Sequence, residues 1–478
     1  MIIRHIYRAG SPVIHSLTHC TCMKRREFLK NSLITGGTLA LGSCNDENKA
    51  GDPSNFRGRV AIIGAGAAGL AAGLALSQKG ADFTIYEASD RVGGRVRPFK
   101  GFADFEIELG AEEIYGKRST WYDWVKSTNA TFIDNKTTDF YQIGNQFKPR
   151  DQWATDADFQ AAGRISEQAR NYFGLDISLQ QLMDNGKLAA RVQHIVNAQV
   201  ANEYGTGANL LSVKGATEED QIWSAGDDNL AVAGRTLLSV LEEKCKEVLP
   251  KIKLNAVIRR IDYSGDRVTL EDTQGQKYQV DKLIITVPLA ILQANDISFI
   301  PALPTSKSEA INKIGMGAGL KIFLAFNKRF WTADTGSIYG TGQVPEFQTT
   351  SRGRSTQSNI LTAFVNGTRA ENLSSKGGGA VQTVVQELDA MYGRGVASGS
   401  LTNAYVMDWR KEPFIKGAYS YPIVGGGGLA TRQELSSSLA RKIYFAGEAT
   451  HYGGHSGTVH GAIETGQRAV DELFRDVG

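Results

Sequence analysis

Apolar residues in this chain fall into two kinds of pattern: short unbroken runs closed by glycine or proline, and stretches spaced at helical intervals. Val60, Ala61, Ile62 and Ile63 form a run of the first kind, which predicts a parallel strand buried on both faces. Gly64, Gly66 and Gly69 follow it, and Leu70, Leu74 and Leu76 then mark a helix. A second strand is predicted over 83–86 and ends at Glu87. At the far end of the chain, 443–448 reads as a buried strand closed by the carboxylate of Glu448. Residues 457–462 open a helix that continues through Ile463, Ala469, Val470 and Leu473.

Between these ends the pattern is mixed. Helical spacing dominates 119–225, where Trp121, Trp124 and Val125 recur on one face and 165–172 and 188–200 read as further amphipathic helices. Trp153 and Phe159 are expected in a core. Strands are predicted at 252–258 and 267–270, the latter pairing with 278–280 through a turn at Gly275, and at 283–287 before Pro288. An apolar strand begins at Lys321 and runs to Phe326. Polar, glycine-rich loops between 332 and 395 alternate with a strand at 360–365 and a helix at 381–391.

A chain of 478 residues is too long for one compact core, so at least two domains are expected. The net charge of +3 comes with no basic stripe, which argues against a nucleic-acid partner. The segment Met23-Lys24-Arg25-Arg26-Glu27-Phe28-Leu29-Lys30 precedes a weakly apolar stretch too short to span a bilayer, and reads as a signal peptide with translation starting at Met23. Its paired arginines resemble the twin-arginine export signal, and Leu41-Gly42-Ser43-Cys44 resembles a bacterial lipoprotein box that would anchor the chain to a membrane through Cys44. The expected location is the periplasm or cell envelope. Of four cysteines only Cys245 lies beyond this region, on an amphipathic helix that makes it a core thiol. The chain has neither a disulfide framework nor a cysteine–histidine cluster of the metal-binding kind, and no metal is expected.

The glycines after the first strand carry chemistry. Gly64 permits a tight turn, Gly66 lets a pyrophosphate approach the backbone, and Gly69 brings helix and strand close. The helix N-terminus that follows, at Ala68, offers free amides to phosphate oxygens. Glu87, with Ala88 behind it, ends the second strand where a carboxylate accepts hydrogen bonds from ribose hydroxyls. This signature predicts dinucleotide binding without separating NAD from FAD.

Arg91-Val92-Gly93-Gly94-Arg95 resembles the second glycine pair of the FAD-dependent glutathione-reductase-like fold, as used by the flavin-containing amine oxidase family, which includes monoamine and polyamine oxidases and lysine-specific histone demethylases. The resemblance extends to Glu108-Leu109-Gly110-Ala111, to the thirty residues around Lys321, and to the last eighty residues. It implies an α/β fold: an FAD-binding Rossmann-like domain built from 57–114, 226–295 and 406–478, with an α+β substrate domain inserted as a helical part, 115–225, and a sheet part, 296–405. Residues 1–44 would be the signal region and 45–56 a polar tether.

The same resemblance implies that Gly93, Gly94 and Arg95 meet the pyrophosphate and flavin, that Gly110 and Ala111 lie against the flavin, and that Val257 contacts adenine through its backbone. Gly447 and Glu448 would hold the ribityl chain, with Thr458 and Val459 at the pyrimidine edge. Lys321 would hold a water against flavin N5. Trp409 and Tyr419 would form an aromatic wall, with Thr458 at the place of a second tyrosine and therefore an incomplete cage. Ala418 stands where monoamine oxidases carry the cysteine that bonds to flavin, so FAD is expected to be non-covalent. Glu112 and Glu113 are candidates to attract a cationic amine, and His451, Tyr452 and His455 to line the rim.

The implied activity is oxidation of a primary or secondary amine, with hydride transfer from the carbon beside nitrogen to flavin, hydrolysis of the imine, and O2 or another acceptor taking the electrons. Two alternatives stay open: another oxidoreductase of the same fold, such as an amino-acid oxidase, desaturase or protoporphyrinogen oxidase, and a surface-anchored FAD-binding module without turnover.

Overall fold

In a computed structural model of the chain, residues 56–134 and 137–477 are described. The expected signal, lipoprotein box and most of the tether lie outside these residues. The run 60–63 forms the centre of a parallel sheet. Its strand, Arg59–Ile63, is flanked by Asp82–Tyr86 on one side and Lys282–Ile285 on the other. Ile252–Lys253 and Ile443–Phe445 complete the sheet at its two edges. Three widely separated stretches of sequence therefore build one sheet. Burial on both faces explains the unbroken apolar runs: Ala61, Ile62, Leu283, Ile284 and Ile443 are wholly inaccessible.

Helix Ala67–Gln78 is made almost entirely of alanine, glycine and leucine because it is covered nearly all round. On one side Gly73 lies so close to Val248, Ile85 and Phe83 that a Cβ would come within 2.7–3.2 Å of them, which holds the helix to the sheet. On the other, helix Val459–Val477 packs across it, and Gly466 lies so close to the carbonyl of Ala68 that a Cβ would come within 2.2 Å of the oxygen. The predicted apolar face of that last helix, Ile463, Ala469, Val470 and Leu473, is fully buried.

The strand predicted at 252–258 is two strands in two sheets. Ile252–Lys253 ends in the parallel sheet, the chain turns at Asn255 with φ of 56°, and Ile258–Asp262 joins Val268–Asp272, Lys277–Val280 and Ser298–Ile300. The amides of Asn255 and Ala256 bond to the carbonyls of Ser89 and Glu87, which pins the break beside the acidic residue.

A seven-stranded sheet forms the other half of the molecule, in the order Leu401–Asp408, Gly319–Phe326, Asn359–Asn366, Glu346–Thr349, Thr335–Tyr339, Thr138–Ile143 and Gln146–Pro149. Two of these strands, together with Thr131–Asp134, fall in the region read as helical, and this corrects that reading. The Gly144–Asn145 pair joining Thr138–Ile143 to Gln146–Pro149 is a two-residue hairpin signal hidden among helical neighbours. The remainder of that region is helical, with Ala157–Gln168, Leu179–Asn185, Ala190–Val196 and Val213–Ile222 packed around buried Trp153 and Phe159. Cys245 is likewise inaccessible, and burial pushes its thiol up to about 12. Among the described residues no helix is long and apolar enough to cross a membrane.

Candidate active site

A cavity of about 990 Å³ begins at the carboxyl ends of the parallel strands and extends to the seven-stranded sheet. Ligands bind there in open parallel sheets because helix N-termini and the ends of strands converge. Gly64 takes φ of 104°, and a Cβ on Gly69 would stand 1.9 Å from the Gly64 carbonyl, so both residues serve the turn. Gly66 differs, because a Cβ there would meet nothing within 4 Å and would project into the cavity. Gly93 forms a parallel bridge with Gly66, and a Cβ on Gly94 would lie 3.5 Å from the Gly66 Cα. No side chain caps the helix at Gly66. Its first amides therefore open into a space shaped for an anion.

Glu87 is fixed beside this turn. It accepts the Ala65 amide at 2.6 Å on one oxygen, and the Ser89 amide and hydroxyl at 2.9 and 2.7 Å on the other. A carboxylate has about four acceptor positions, so one remains for a ribose hydroxyl. Ala88 and Val257 line the cavity beyond it, and the Val257 carbonyl is occupied by the amide of Thr273. Orphaned helix amides, a side-chain-free approach at Gly66 and an anchored carboxylate together fit FAD.

Arg95 and Glu448 meet where the cavity turns toward the second half of the molecule. Arg95 donates to Glu448 at 2.9 Å and to the Ala418 carbonyl at 2.6 Å. Glu448 also accepts from Ser420 and from the amide of Gly457. Burial raises its proton affinity, but Arg95, the Ser420 hydroxyl and Arg432 outweigh it and hold the carboxyl below its ordinary value. A ribityl hydroxyl would have to share those oxygens with four protein donors. Gly447, Thr458 and Val459 line the same wall. The Thr458 hydroxyl caps the last helix, donating to the His455 carbonyl at 2.7 Å and accepting the Gly461 amide at 2.9 Å. Its one proton is thereby taken up by the fold.

The far end of the cavity holds the remaining predicted residues. Gly110 is wedged between the Arg95 carbonyl and the Trp409 ring, where a Cβ would stand 1.8 and 2.9 Å away. Ala111, the next residue, borders the cavity. Trp409 is buried and donates its indole N–H to the Leu109 carbonyl at 3.1 Å. Tyr419 donates to the Glu203 carbonyl at 2.8 Å, which fixes its ring against Gly205. Lys321 sits on an interior strand with neighbours on both sides, so its charge lies inside the sheet and not at an exposed edge. Its ammonium donates to the carbonyls of Glu108 and Gly110 at 3.2 and 2.9 Å and to Glu112 at 2.8 Å.

Acidic residues are concentrated here. Glu113 accepts from the Tyr115 hydroxyl at 2.5 Å and from Asn229 at 3.0 Å, and both Glu112 and Glu113 line the cavity. Behind them, burial pushes Glu108 up to about 7 and raises the proton affinity of the neighbouring Glu203 and Glu346. Glu108 opens the Glu108-Leu109-Gly110-Ala111 motif, whereas Glu203 and Glu346 have no sequence signature and are marked only by where the fold buries them.

His451 and His455 do not line the cavity. Both turn to Glu464, at 2.9 and 2.8 Å, and Tyr452 lies on the surface under Arg468. His460 reaches the cavity wall instead, and burial pushes its imidazole down to about 3.

Comparison with known proteins agrees with this geometry. Residues 67–474 match the family described as flavin containing amine oxidoreductase. Human lysine-specific histone demethylase 2 is 28% identical over 96% of this chain, and the chain spans 59% of that protein's length. Polyamine oxidase 1 of Zea mays is 27% identical over 87% of this chain and 90% of its own. Among solved structures, putrescine oxidase bound to putrescine covers 87% of this chain and 99% of its own with a TM-score of 0.74 and 19% identity. Cyclohexylamine oxidase from Brevibacterium oxydans IH-35A covers 88% and 99% with the same TM-score and 20% identity. Those two likenesses speak for the fold alone. The match across most of the described sequence, on a fold whose cavity is cut for FAD, shows that the chain belongs to the flavin containing amine oxidoreductase family.

Proposed function

We propose that the protein is an FAD-dependent oxidase of primary or secondary amines. The observation that carries the reading is the continuity of one cavity from the dinucleotide cradle at Gly66 to a chamber walled by Trp409 and Tyr419 and edged by Glu112 and Glu113. Bound FAD supplies the acceptor for a hydride leaving the carbon beside the amine nitrogen. The chain's own residues do the rest. Trp409 and Tyr419, each fixed by a hydrogen bond to a backbone carbonyl, set the orientation of the C–H bond. Their apolar surfaces disfavour an ammonium, which has no lone pair to support hydride loss. The carboxylates draw the cation in from water.

Ala418 and a cavity wall without a cysteine among the described residues support non-covalent FAD. The relatives' names support polyamines, putrescine or cyclohexylamine-like amines as substrates; O2 is proposed as the acceptor, with H2O2 as its product. The arginine pair and Cys44 box support export to a bacterial envelope and a lipid anchor there. Anaerobic mixing of the yellow holoprotein with putrescine, spermidine and cyclohexylamine tests the activity. Bleaching of the oxidised flavin by one of them is expected, and a spectrum unmoved by every amine would favour the binding-module alternative.

A further inference from the structure

Lys321 has three N–H donors, and the fold uses all of them. Two go to the carbonyls of Glu108 and Gly110 and the third to Oε2 of Glu112. The lysine can hold a water only by releasing one of these acceptors. The Glu112 carboxylate, 2.8 Å from the ammonium, lines the same cavity. The backbone leading to it is rigid, since Leu109 and Ala111 donate to the Arg97 and Arg95 carbonyls and Gly110 has no room for a Cβ. The Glu112 side chain is 13% exposed and lines the cavity, and its Oε1 makes no hydrogen bond among the described residues.

Resting on the reading of the protein as an amine oxidase, we propose that Glu112, clamped by Lys321, is a catalytic residue that receives the substrate's ammonium and takes its proton. An ammonium N–H bond breaks and an O–H bond forms at Glu112 Oε1, which returns the lone pair to nitrogen. Bound FAD would supply the acceptor for the α C–H pair as hydride, and water would convert the resulting iminium to carbonyl compound and ammonium. The Glu112 proton leaves through the cavity. Lys321 serves both halves of this step. Its charge holds the carboxylate in place, and it also disfavours a second cation beside it, which pushes the bound amine toward its neutral form. Arg354, facing Glu108 and Glu112, adds to the same field.

An amine without an α-hydrogen binds but is not oxidised, so tert-butylamine probes the first step alone. Titrated into holoprotein at neutral pH and followed by flavin absorbance and calorimetry, it should bind Glu112→Gln about tenfold or more weakly than wild type. With any amine that reduces the flavin, the acid limb of the reduction rate should move in Glu112→Gln toward the pKa of the free amine. Equal probe affinity in the two proteins, no probe binding to wild type, or an unmoved limb would overturn the role of Glu112. Should Glu112→Gln lose its flavin, Glu112→Asp replaces it: retained probe affinity with about tenfold slower reduction supports the proposal, and lost affinity overturns it. A wild type that binds the probe but is reduced by no amine would instead sink the oxidase reading.

Discussion

Arg95 and Glu448 are 353 positions apart in sequence and 2.9 Å apart in the fold, and their ion pair ties the second glycine motif to the turn after the last strand of the parallel sheet. The pair extends inward, since Ser420 bonds both Glu448 and Arg432, and Arg432 bonds Glu219 at 2.6 Å. Arg95→Met leaves a buried carboxylate with one fewer counter-charge, and is expected to lower stability by about 1–3 kcal/mol. The Glu448 carboxyl is held below its ordinary value, so its stabilisation is complete above the unfolded carboxylate pKa and is lost as pH falls below it. Chemical denaturation at neutral pH and at pH about 4 checks both points, the variant's deficit being smaller in acid.

Two glycines of the first motif should fail in different ways. Gly69→Ala drives a Cβ to 1.9 Å from the Gly64 carbonyl, a backbone clash that nothing flexible relieves, so the variant should be recovered poorly or unfolded. Gly66→Ala meets no protein atom within 4 Å, so apoprotein stability should stay within about 0.5 kcal/mol of wild type. Its methyl projects into the space a pyrophosphate requires, and FAD affinity should fall about tenfold or more. Thermal melts of apoprotein together with FAD titration separate the two effects. A Gly66→Ala protein that binds FAD normally would remove the pyrophosphate from that turn.

What could be read from sequence follows from how local each cause is. The strand, turn and helix at 59–78 were legible because burial on both faces, turn geometry and helix packing each leave a mark within a few residues. The strand at Lys321 was legible too, but its central position was not, because that depends on pairing with residues near 362 and 406. Two of the three acceptors around Lys321 are backbone carbonyls, which any residue type can supply, so no residue type announces its saturation. His451 and His455 were read as rim residues from their loop, whereas Glu464 on the next helix draws both away.

Thr458 offers a test of structure against chemistry at one hydroxyl. Because that hydroxyl caps the last helix, Thr458→Val, nearly isosteric, is expected to destabilise the protein by about 1 kcal/mol, and Thr458→Ser by much less. Flavin reduction by amines should change little in Thr458→Ser. A loss of reduction in Thr458→Val without any fall in melting temperature would show that the hydroxyl acts on flavin or amine instead.

Stability against acid contains opposing contributions that can be taken apart. Burial pushes His194 down to about 4, so between that value and about 6.5 the unfolded chain binds a proton the folded protein refuses. The stabilisation from a neutral His194 is therefore complete above about 6.5 and falls away as pH drops through the window. Glu108 works the other way. Burial lifts it to about 7, so the folded protein keeps a proton that the unfolded chain releases, and its contribution grows as pH falls from about 7 toward the ordinary carboxylate value. The two partly cancel in wild type. In His194→Gln the first contribution is gone, and relative to wild type the variant should gain up to about 1.4 kcal/mol per pH unit on acidification between about 6.5 and 4. Glu108→Gln should lose ground to wild type over nearly the same range. Urea unfolding of apoprotein at half-unit pH steps reads both differences, and parallel curves for wild type and His194→Gln would mean that the imidazole is protonated in the fold.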